Sequence, residues 1–468
     1  MSNSRNNYLI KNTAIFTLGN LATRFIAFFL VPLYTNVLST SEYGTIDLVA
    51  TISTVAVPII TLNIMESVMR FNLDKDANKE RITKIGITIL ICGAIVGLLI
   101  IPIISLWDKV NDYSLLIYFY VICSASSQVF LCDLRGKELL VLFSIGNILN
   151  TLLIAVFNIV FLLLFKWGIK GYLLAYTLAS AIVAIYAFIV GKGYKAIRAT
   201  IDNTKMKEML KYSVVLIPNS FMWWIMNSSD HVMVTSMIGA AANGIYAISY
   251  KIPNLISIIT GIFNQAWSYS AIREEEASDS DEYTNRIYFS LRGVVFMIGI
   301  CMLAVVKPFL KWYVADAYFN AWKYTPFLVV GCVYLTMATF MSTSYTVHKD
   351  SKGFLMSGMF GSMLNIVLNF LLIPSMEVYG AALATCVSYI AVFTFRAFHT
   401  RKYITYKILD KEFIFGTLGL FLNSLLMFFD GTFIQICQII VATIVTLLLK
   451  RTWLPYVGFI GRKLRRNL

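Results

Sequence analysis

Runs of about twenty apolar residues recur along the whole chain, separated by short polar or charged segments. That is the length a helix needs to cross ~30 Å of hydrocarbon at ~1.5 Å per residue. Composition agrees: 58% of the 468 residues are hydrophobic and only 14% are charged, where a soluble domain carries about 25% charge. The mean hydropathy is +0.72. The chain therefore reads as an all-α integral membrane protein with about 14 transmembrane helices. The expected spans are 13–37, 45–69, 85–106, 114–132, 139–165, 171–190, 213–238, 243–267, 289–310, 325–346, 354–374, 379–398, 413–429 and 432–449. The polar start "MSNSRNNYLIKN" precedes a run too long for a cleaved signal peptide, so no cleavage is expected.

The net charge of +14 follows from orientation. With the N-terminus inside, 31 of the 39 basic residues fall in inner segments and six in outer loops, while Arg24 and Lys251 lie within spans. Arg292 and Arg396 count among the inner 31. This asymmetry fits the positive-inside rule and places both termini in the cytoplasm. The basic tail "GRKLRRNL" suits anionic headgroups, and no nucleic acid is expected. The seven cysteines lie within or at the ends of apolar runs, with no CxxC, and read as packing residues.

The sequence repeats itself. "GNILNTLLIAVFNIVFLLLFKWGIKGYLLA" (146–175) and "GSMLNIVLNFLLIPSMEVYGAALA" (361–384) both give G-x-x-x-N, an apolar stretch, a turn and G-x-x-x-A. "SEYGTIDLVATIS" (41–53) is echoed by "AANGIYAISYKIP" (241–253). Spans one to six therefore look duplicated as seven to twelve. Two even-numbered copies imply parallel lobes about a pseudo-two-fold along the membrane normal. The expected divisions are a lobe at 1–190, a basic cytoplasmic linker at 191–211, a second six-helix lobe at 212–400, two extra helices within 401–449 and a tail at 450–468.

Charges inside the spans mark candidate function. Arg24 is about eleven residues from one end of its span and thirteen from the other, too deep for easy snorkelling. A charge at mid-bilayer costs at least ~2.5–3.5 kcal/mol, so it should face protein or water. Thr13, Thr17, Asn20, Arg24 and Ala27 form one stripe at helical spacing; Leu21, Phe25, Phe28 and Phe29 lie opposite. Arg24 either pairs with a carboxylate or binds an anionic group of a substrate, for which its donor fork is suited. In span seven, Asn219, Trp223, Asn227 and Asp230 share a face. Asp230 and Lys251 are expected at one height, as an ion pair or hydrogen-bonded pair that is either structural or a switch for gating or ion coupling. His231 is expected to point elsewhere and pack. Glu66 and Arg70 stand at i,i+4 and are expected to pair locally or to serve a gate. Asp47 is expected to be solvated, and Pro58 to kink span two.

No Walker A, HExxH or GxSxG motif occurs, and His231, His348 and His399 are scattered. No catalytic residues, metal site or cofactor are expected, and the outer loops are too short to hold an enzyme's active site.

The stretches "IKNTAIFTLGNLATRFIAFFLVPLYTNVLSTSEYGTIDL", "PNSFMWWIMNSSDHVMVTSMIGAAANGIYAISYKIPNL" and "FNQAW" resemble bacterial polysaccharide flippases of the Wzx type over about residues 8–400. These belong to a superfamily with multidrug and toxin extruders and lipid II flippases. The resemblance implies two six-helix lobes in a V around a central cavity, with two further helices. It implies a substrate, an oligosaccharide repeat unit linked by diphosphate to undecaprenol, moved across the bacterial inner membrane for surface polysaccharide such as capsule or lipopolysaccharide. It also suggests an ion gradient as the driving force. Arg24 matches the cavity arginine on the first helix of such flippases, and Lys251 a basic residue on the eighth. Both suit a diphosphate. Asn20, Asn227, Trp223 and Trp224 suit sugars by hydrogen bonding or stacking. Polysaccharide polymerase and chain-length machinery are the implied partners besides the bilayer. The alternatives are a multidrug or cation antiporter of the same fold, which predicts a carboxylate-lined cavity, and a lipid II-type flippase.

Overall fold

The computed structural model describes residues 23–74, 76–105, 111–273 and 279–452, and these are helical apart from short turns. The chain divides into two compact units, Met1–Trp224 and Ile225–Leu468.

The first unit contains α1 (Thr23–Val37), α2 (Thr40–Ile60), α3 (Ile64–Asn72), α4 (Lys79–Ser105), α5 (Ser114–Gly136), α6 (Leu140–Asn158), α7 (Gly168–Val190), α8 (Gly193–Ile197) and the start of α9 (Asn203–Met237). Helix α2 begins earlier than its hydrophobicity suggests because Ser39 and Glu42 form a capping box. The Ser39 hydroxyl accepts from the Glu42 N–H at 3.2 Å, and the Glu42 carboxylate accepts from the Ser39 N–H at 2.9 Å, satisfying two free donors at the helix start. Span two is broken rather than merely kinked. Pro58 supplies no N–H, and Leu62 and Asn63 then adopt left-handed backbone at φ 51° and 53°, so α3 restarts as a separate helix at Ile64.

The core of this unit joins Ile64, Val68 and Phe71 of α3 to Ile82, Ile85 and Ile89 of α4, Val129 of α5 and Met209 of α9. Ser67 donates to the Met209 carbonyl at 2.6 Å, and the Trp224 indole to the Thr51 carbonyl at 2.8 Å. The segment expected as a basic linker, 191–211, thus ends as the first turns of α9, packed on α3. The boundary between the two compact units falls inside α9, after Trp224, and the first turns of α9 bury Met209 in the first unit.

The second unit holds the rest of α9, α10 (Ala240–Lys251), α11 (Pro253–Arg273), α12 (Ser280–Tyr313), α13 (Thr325–Val347), α14 (Ser351–His399), α15 (Lys411–Leu426) and α16 (Thr432–Leu448). Helices α10 and α11 meet at a 44° bend, where Pro253 removes a ladder donor. Helix α14 is two helices joined at Glu377 (φ 52°, ψ −133°), three residues after Pro374. The two extra helices dock on α12. The fully buried Arg292 donates to the Lys407 and Ile408 carbonyls at 3.2 and 2.9 Å and pairs with Asp410. Asn423 of α15 donates to the Ile300 carbonyl at 3.0 Å, and Lys307 pairs with Asp430 at 2.5 Å.

Backbone features recur between the units, in support of the repeat. Left-handed Glu138 and Lys349 make the α5–α6 and α13–α14 turns. Left-handed Lys166 and Glu377 separate α6 from α7 and the halves of α14. A Cβ at Gly171 would meet Phe161 and Trp167 at 3.1 Å, a tight fit, and at Gly380 it would meet the Leu372 carbonyl oxygen at 2.4 Å, where a side chain has no room.

Among the described residues, eight helices are long and apolar enough to cross a bilayer, or nine if α10 and α11 form one bent span. The other expected spans fall on the shorter α1, α15 and α16, on the second half of the broken α14, and on α9, whose polar residues dilute its apolarity. Arg292 and Arg396, counted as inner-segment charges from sequence, are instead buried inside helices. Arg292 has the Asp410 carboxylate as counter-charge, whereas Arg396 donates to the Ser357 hydroxyl at 3.0 Å and the Ala338 carbonyl at 2.9 Å.

Candidate functional site

In the second unit a carboxylate sits deep among hydroxyls and amides. Asp230 on α9 is 2% exposed. Its Oδ2 accepts from the Tyr246 and Tyr250 hydroxyls of α10, both at 2.7 Å, and from Thr385 of α14 at 3.1 Å. Helical spacing explains the convergence: Tyr246 and Tyr250 are four residues apart and project from one face of α10. The Asp230 Oδ1 accepts from the His231 N–H at 3.0 Å. Behind Thr385 the network continues through amides. Asn365 donates to Thr385 at 3.3 Å, and Asn369 donates to the Asn365 carbonyl oxygen at 3.0 Å. Asn369 is fully buried, and its own Oδ1 has no donor.

Four donors thus meet the Asp230 carboxylate, and they offset part of the cost of burying it. The Asn369 amide oxygen is the acceptor of this cluster left without a donor. The His231 ring lies 5.2 Å from both tyrosine rings and is buried, so it packs, as expected from sequence.

The expected Asp230–Lys251 ion pair is not formed. Asp230 is held by three hydroxyls, while Lys251 ends α10, half-buried, at the bend. The tyrosines at i−1 and i−5 from Lys251 reach Asp230 in its place. Arg70 also leaves its expected partner: it pairs with Asp74 at 2.6 Å, and Glu66 is half-buried one turn earlier. Asp74 follows the end of α3 at Asn72, where an exposed arginine reaches it freely.

Arg24 lies in the first turn of the described part of α1, exposed and without an ion pair among the described residues. Phe25 and Phe29 beside it are exposed as well, at 60% and 69%. Asn20, Thr13, Thr17 and Leu21 lie outside the described residues. Trp223 and Asn227 are exposed one turn apart on α9, and the Tyr389 hydroxyl donates to Asn227 at 3.5 Å. Trp224 uses its N–H on Thr51 and is a packing residue. Asp47 is half-buried rather than solvated.

Sequence reasoning passed over Asp133. It is 2% exposed and accepts from Thr83 at 2.6 Å, Asn72 at 2.9 Å and Lys137 at 2.5 Å. Lys137 also donates to the Gly191 carbonyl at 2.8 Å, so this pair ties α3, α4, α5 and the end of α7 together. The i,i+4 spacing of Asp133 and Lys137 was its only signal. Asn365 and Asn369, an i,i+4 pair in an apolar run, marked the second unit's network in the same way.

A family model described as polysaccharide biosynthesis protein matches residues 9–269, more than half of the chain. The chain belongs to this family. An uncharacterized membrane protein of Methanocaldococcus jannaschii is 24% identical over 259 residues, 51% of this chain and 60% of the relative. The chain thus spans under two thirds of that relative's length. Among solved structures, the lipid II flippase MurJ in an inward closed conformation matches with a TM-score of 0.68 at 13% identity, over 96% of this chain and 100% of that one. A multidrug resistance transporter of the MATE family in an inward-facing conformation matches at 0.64 and 12% identity, over 87% and 95%. These likenesses show the fold, that of a multi-pass helical membrane protein.

Proposed function

We propose that this protein flips undecaprenyl-diphosphate-linked oligosaccharide repeat units from the inner to the outer leaflet of a bacterial cytoplasmic membrane, by alternating access, for surface polysaccharide assembly. Membership of the polysaccharide biosynthesis family supports a glycan-related cargo. The observation that carries the reading is Arg24: a guanidinium in an apolar helix, exposed and unpaired among the described residues. A charge left uncompensated at such a position is functional by default, and its donor fork suits a diphosphate. Lys251, Asn20, Trp223 and Asn227 are the further substrate-binding residues of this reading. All fourteen sequence-derived spans cross the membrane in it, two parallel six-helix lobes carry the transport, and both termini are cytoplasmic.

Asp230 takes the coupling ion. Its bonds to Tyr246, Tyr250 and Thr385 draw on α9, α10 and α14, so protonation or cation binding there acts on three helices at once. Glu66 and Arg70, at the end of the broken second span, serve as gating residues.

A strain lacking the chromosomal copy and carrying variants at equal protein level tests the reading. Arg24→Ala accumulates lipid-linked oligosaccharide on the inner leaflet and loses surface polymer, while Arg24→Lys retains part of both functions. Normal surface polymer with Arg24→Ala overturns the phosphate role.

A further inference from the structure

Just past the end of α7, a helix long and apolar enough to cross a bilayer, the chain becomes basic and apolar at once. Residues 192–201 read "KGYKAIRATI", with three basic residues and no acidic one. Left-handed Lys192 (φ 55°) makes the turn into α8. One face of α8 is packed tightly: Ala196 is 1% exposed, and a Cβ at Gly193 would meet the Phe188 ring at 2.4 Å. Lys84 of α4 donates to the Ile197 carbonyl at 3.0 Å, and Arg81 pairs with Asp202 at 3.9 Å. These contacts fix which side of the segment points outward. That side carries Tyr194 (51% exposed), Ile197 (56%) and, beyond the helix, Ile201 (41%). Lys192, Lys195 and Arg198 are interleaved with them and exposed as well. The next carboxylates along the chain are engaged elsewhere, Asp202 by Arg81 and Glu208 by Lys205.

We propose that this face is an interfacial anchor that binds anionic phospholipid headgroups. Its height suits the role. Gly193 follows Val190 by three residues, so it lies no more than about 11 Å beyond the end of α7, within or beside the polar layer that headgroups add to the hydrocarbon. Water is a poor partner for three exposed apolar side chains on so short a segment. The bilayer surface takes both kinds of group together. Tyr194, Ile197 and Ile201 enter the boundary between headgroups and acyl chains, while the lysines and Arg198 extend to phosphates. Neutral lipid satisfies the apolar side chains equally well but leaves three positive charges uncompensated, so lipid of net negative charge is preferred. A soluble acidic protein would answer the charges, but nothing would then account for the apolar residues lying level with the end of a membrane span. With the termini cytoplasmic, as in the reading above, the leaflet is the inner one; the binding itself does not depend on that reading.

The full chain, with photoreactive benzoylphenylalanine in place of the exposed Tyr194, tests this in nanodiscs of equal phosphatidylglycerol and phosphatidylcholine. Irradiation is followed by mass spectrometry of the adducts. Phosphatidylglycerol adducts exceed phosphatidylcholine adducts by about fivefold or more, the preference expected from even one basic residue at the surface. Lys192→Gln, Lys195→Gln and Arg198→Gln together bring that ratio to about one, and so does ~1 M salt, which screens the attraction. Thermal unfolding in phosphatidylcholine nanodiscs stays unchanged in the triple variant, because none of the three side chains is buried. Undecaprenyl diphosphate, added at about one hundredth of the phosphatidylglycerol, leaves the adducts as they were; suppression of the adducts at that level assigns the face to the transported lipid and overturns the proposal. Adducts to neither lipid, equal adducts to both, a ratio unchanged in the triple variant, or crosslinks confined to protein overturn it as well.

Discussion

Replacing Asp230 with Asn separates a coupling site from a structural polar cluster. The side chain keeps its shape and an acceptor oxygen for Tyr246, Tyr250 and Thr385, but loses its charge. A hydrogen bond to a charged group contributes ~1.5–3 kcal/mol and a neutral one ~0.5–1.5. Three such bonds therefore weaken by about 3–4 kcal/mol in total if the carboxylate is ionised at rest. For a unit of this size that is a fall in melting temperature of roughly 6–16 °C. A cation at about 100 times its Kd adds ~2.7 kcal/mol to whatever binds it. The assay is thermal unfolding of the purified protein in nanodiscs, titrated with lithium, sodium or potassium at fixed pH and with protons at fixed salt. The wild type gains stability with one of these ions; Asp230→Asn melts lower and gains nothing. A variant that melts within about 1 °C of wild type and keeps the full ion response refutes the assignment.

Two further outcomes follow from ion pairs outside that network. Asp410 both pairs with the buried Arg292 and caps α15 by accepting from the Phe413 N–H at 2.8 Å. Asp410→Asn keeps a capping acceptor but leaves a buried guanidinium without its counter-charge, a loss of about 3 kcal/mol. Asp410→Ala costs about 1 kcal/mol more through the cap, and chemical unfolding of the two variants side by side reads the difference. At the start of α14, the hydrogen bond from Lys402, with those from the Gly353 N–H and Tyr403, holds the Asp350 carboxyl well below the usual carboxylate range. A lowered pKa gives stability that is present above about pH 4, the ordinary aspartate value, and lost as pH falls through the folded one. Acid titration of wild type therefore shows this contribution declining only below about pH 4, and Asp350→Asn removes that part of the pH dependence.

Much of the helical layout was legible because apolar run length is set by the bilayer, and because Gly146 and Gly361 begin matching motifs. The partners of the buried charges were less so. Hydropathy places Asp230 and Lys251 at one height, but it does not tell a lysine from the tyrosines one and five residues before it as the group that reaches the carboxylate. Arg292 and Arg396 sit near the ends of their expected spans, 289–310 and 379–398, where sequence cannot distinguish a loop charge from one buried against carbonyls. The break after Pro58 was visible as a proline, yet its completion depends on left-handed Leu62 and Asn63, and leucine carries no signal for that conformation. Within 191–211 the basic residues hide the start of α9 at Asn203 and the packing of Met209, whose burial depends on α3 and α4.

The most direct measurement is translocation in proteoliposomes containing the purified protein and a fluorescent undecaprenyl-diphosphate oligosaccharide, with outer-leaflet probe quenched by a membrane-impermeant reagent. The account predicts ion-gradient-dependent flipping by the wild type, partial flipping by Arg24→Lys and none above empty vesicles by Arg24→Ala. Flipping by Arg24→Ala at the wild-type rate contradicts it.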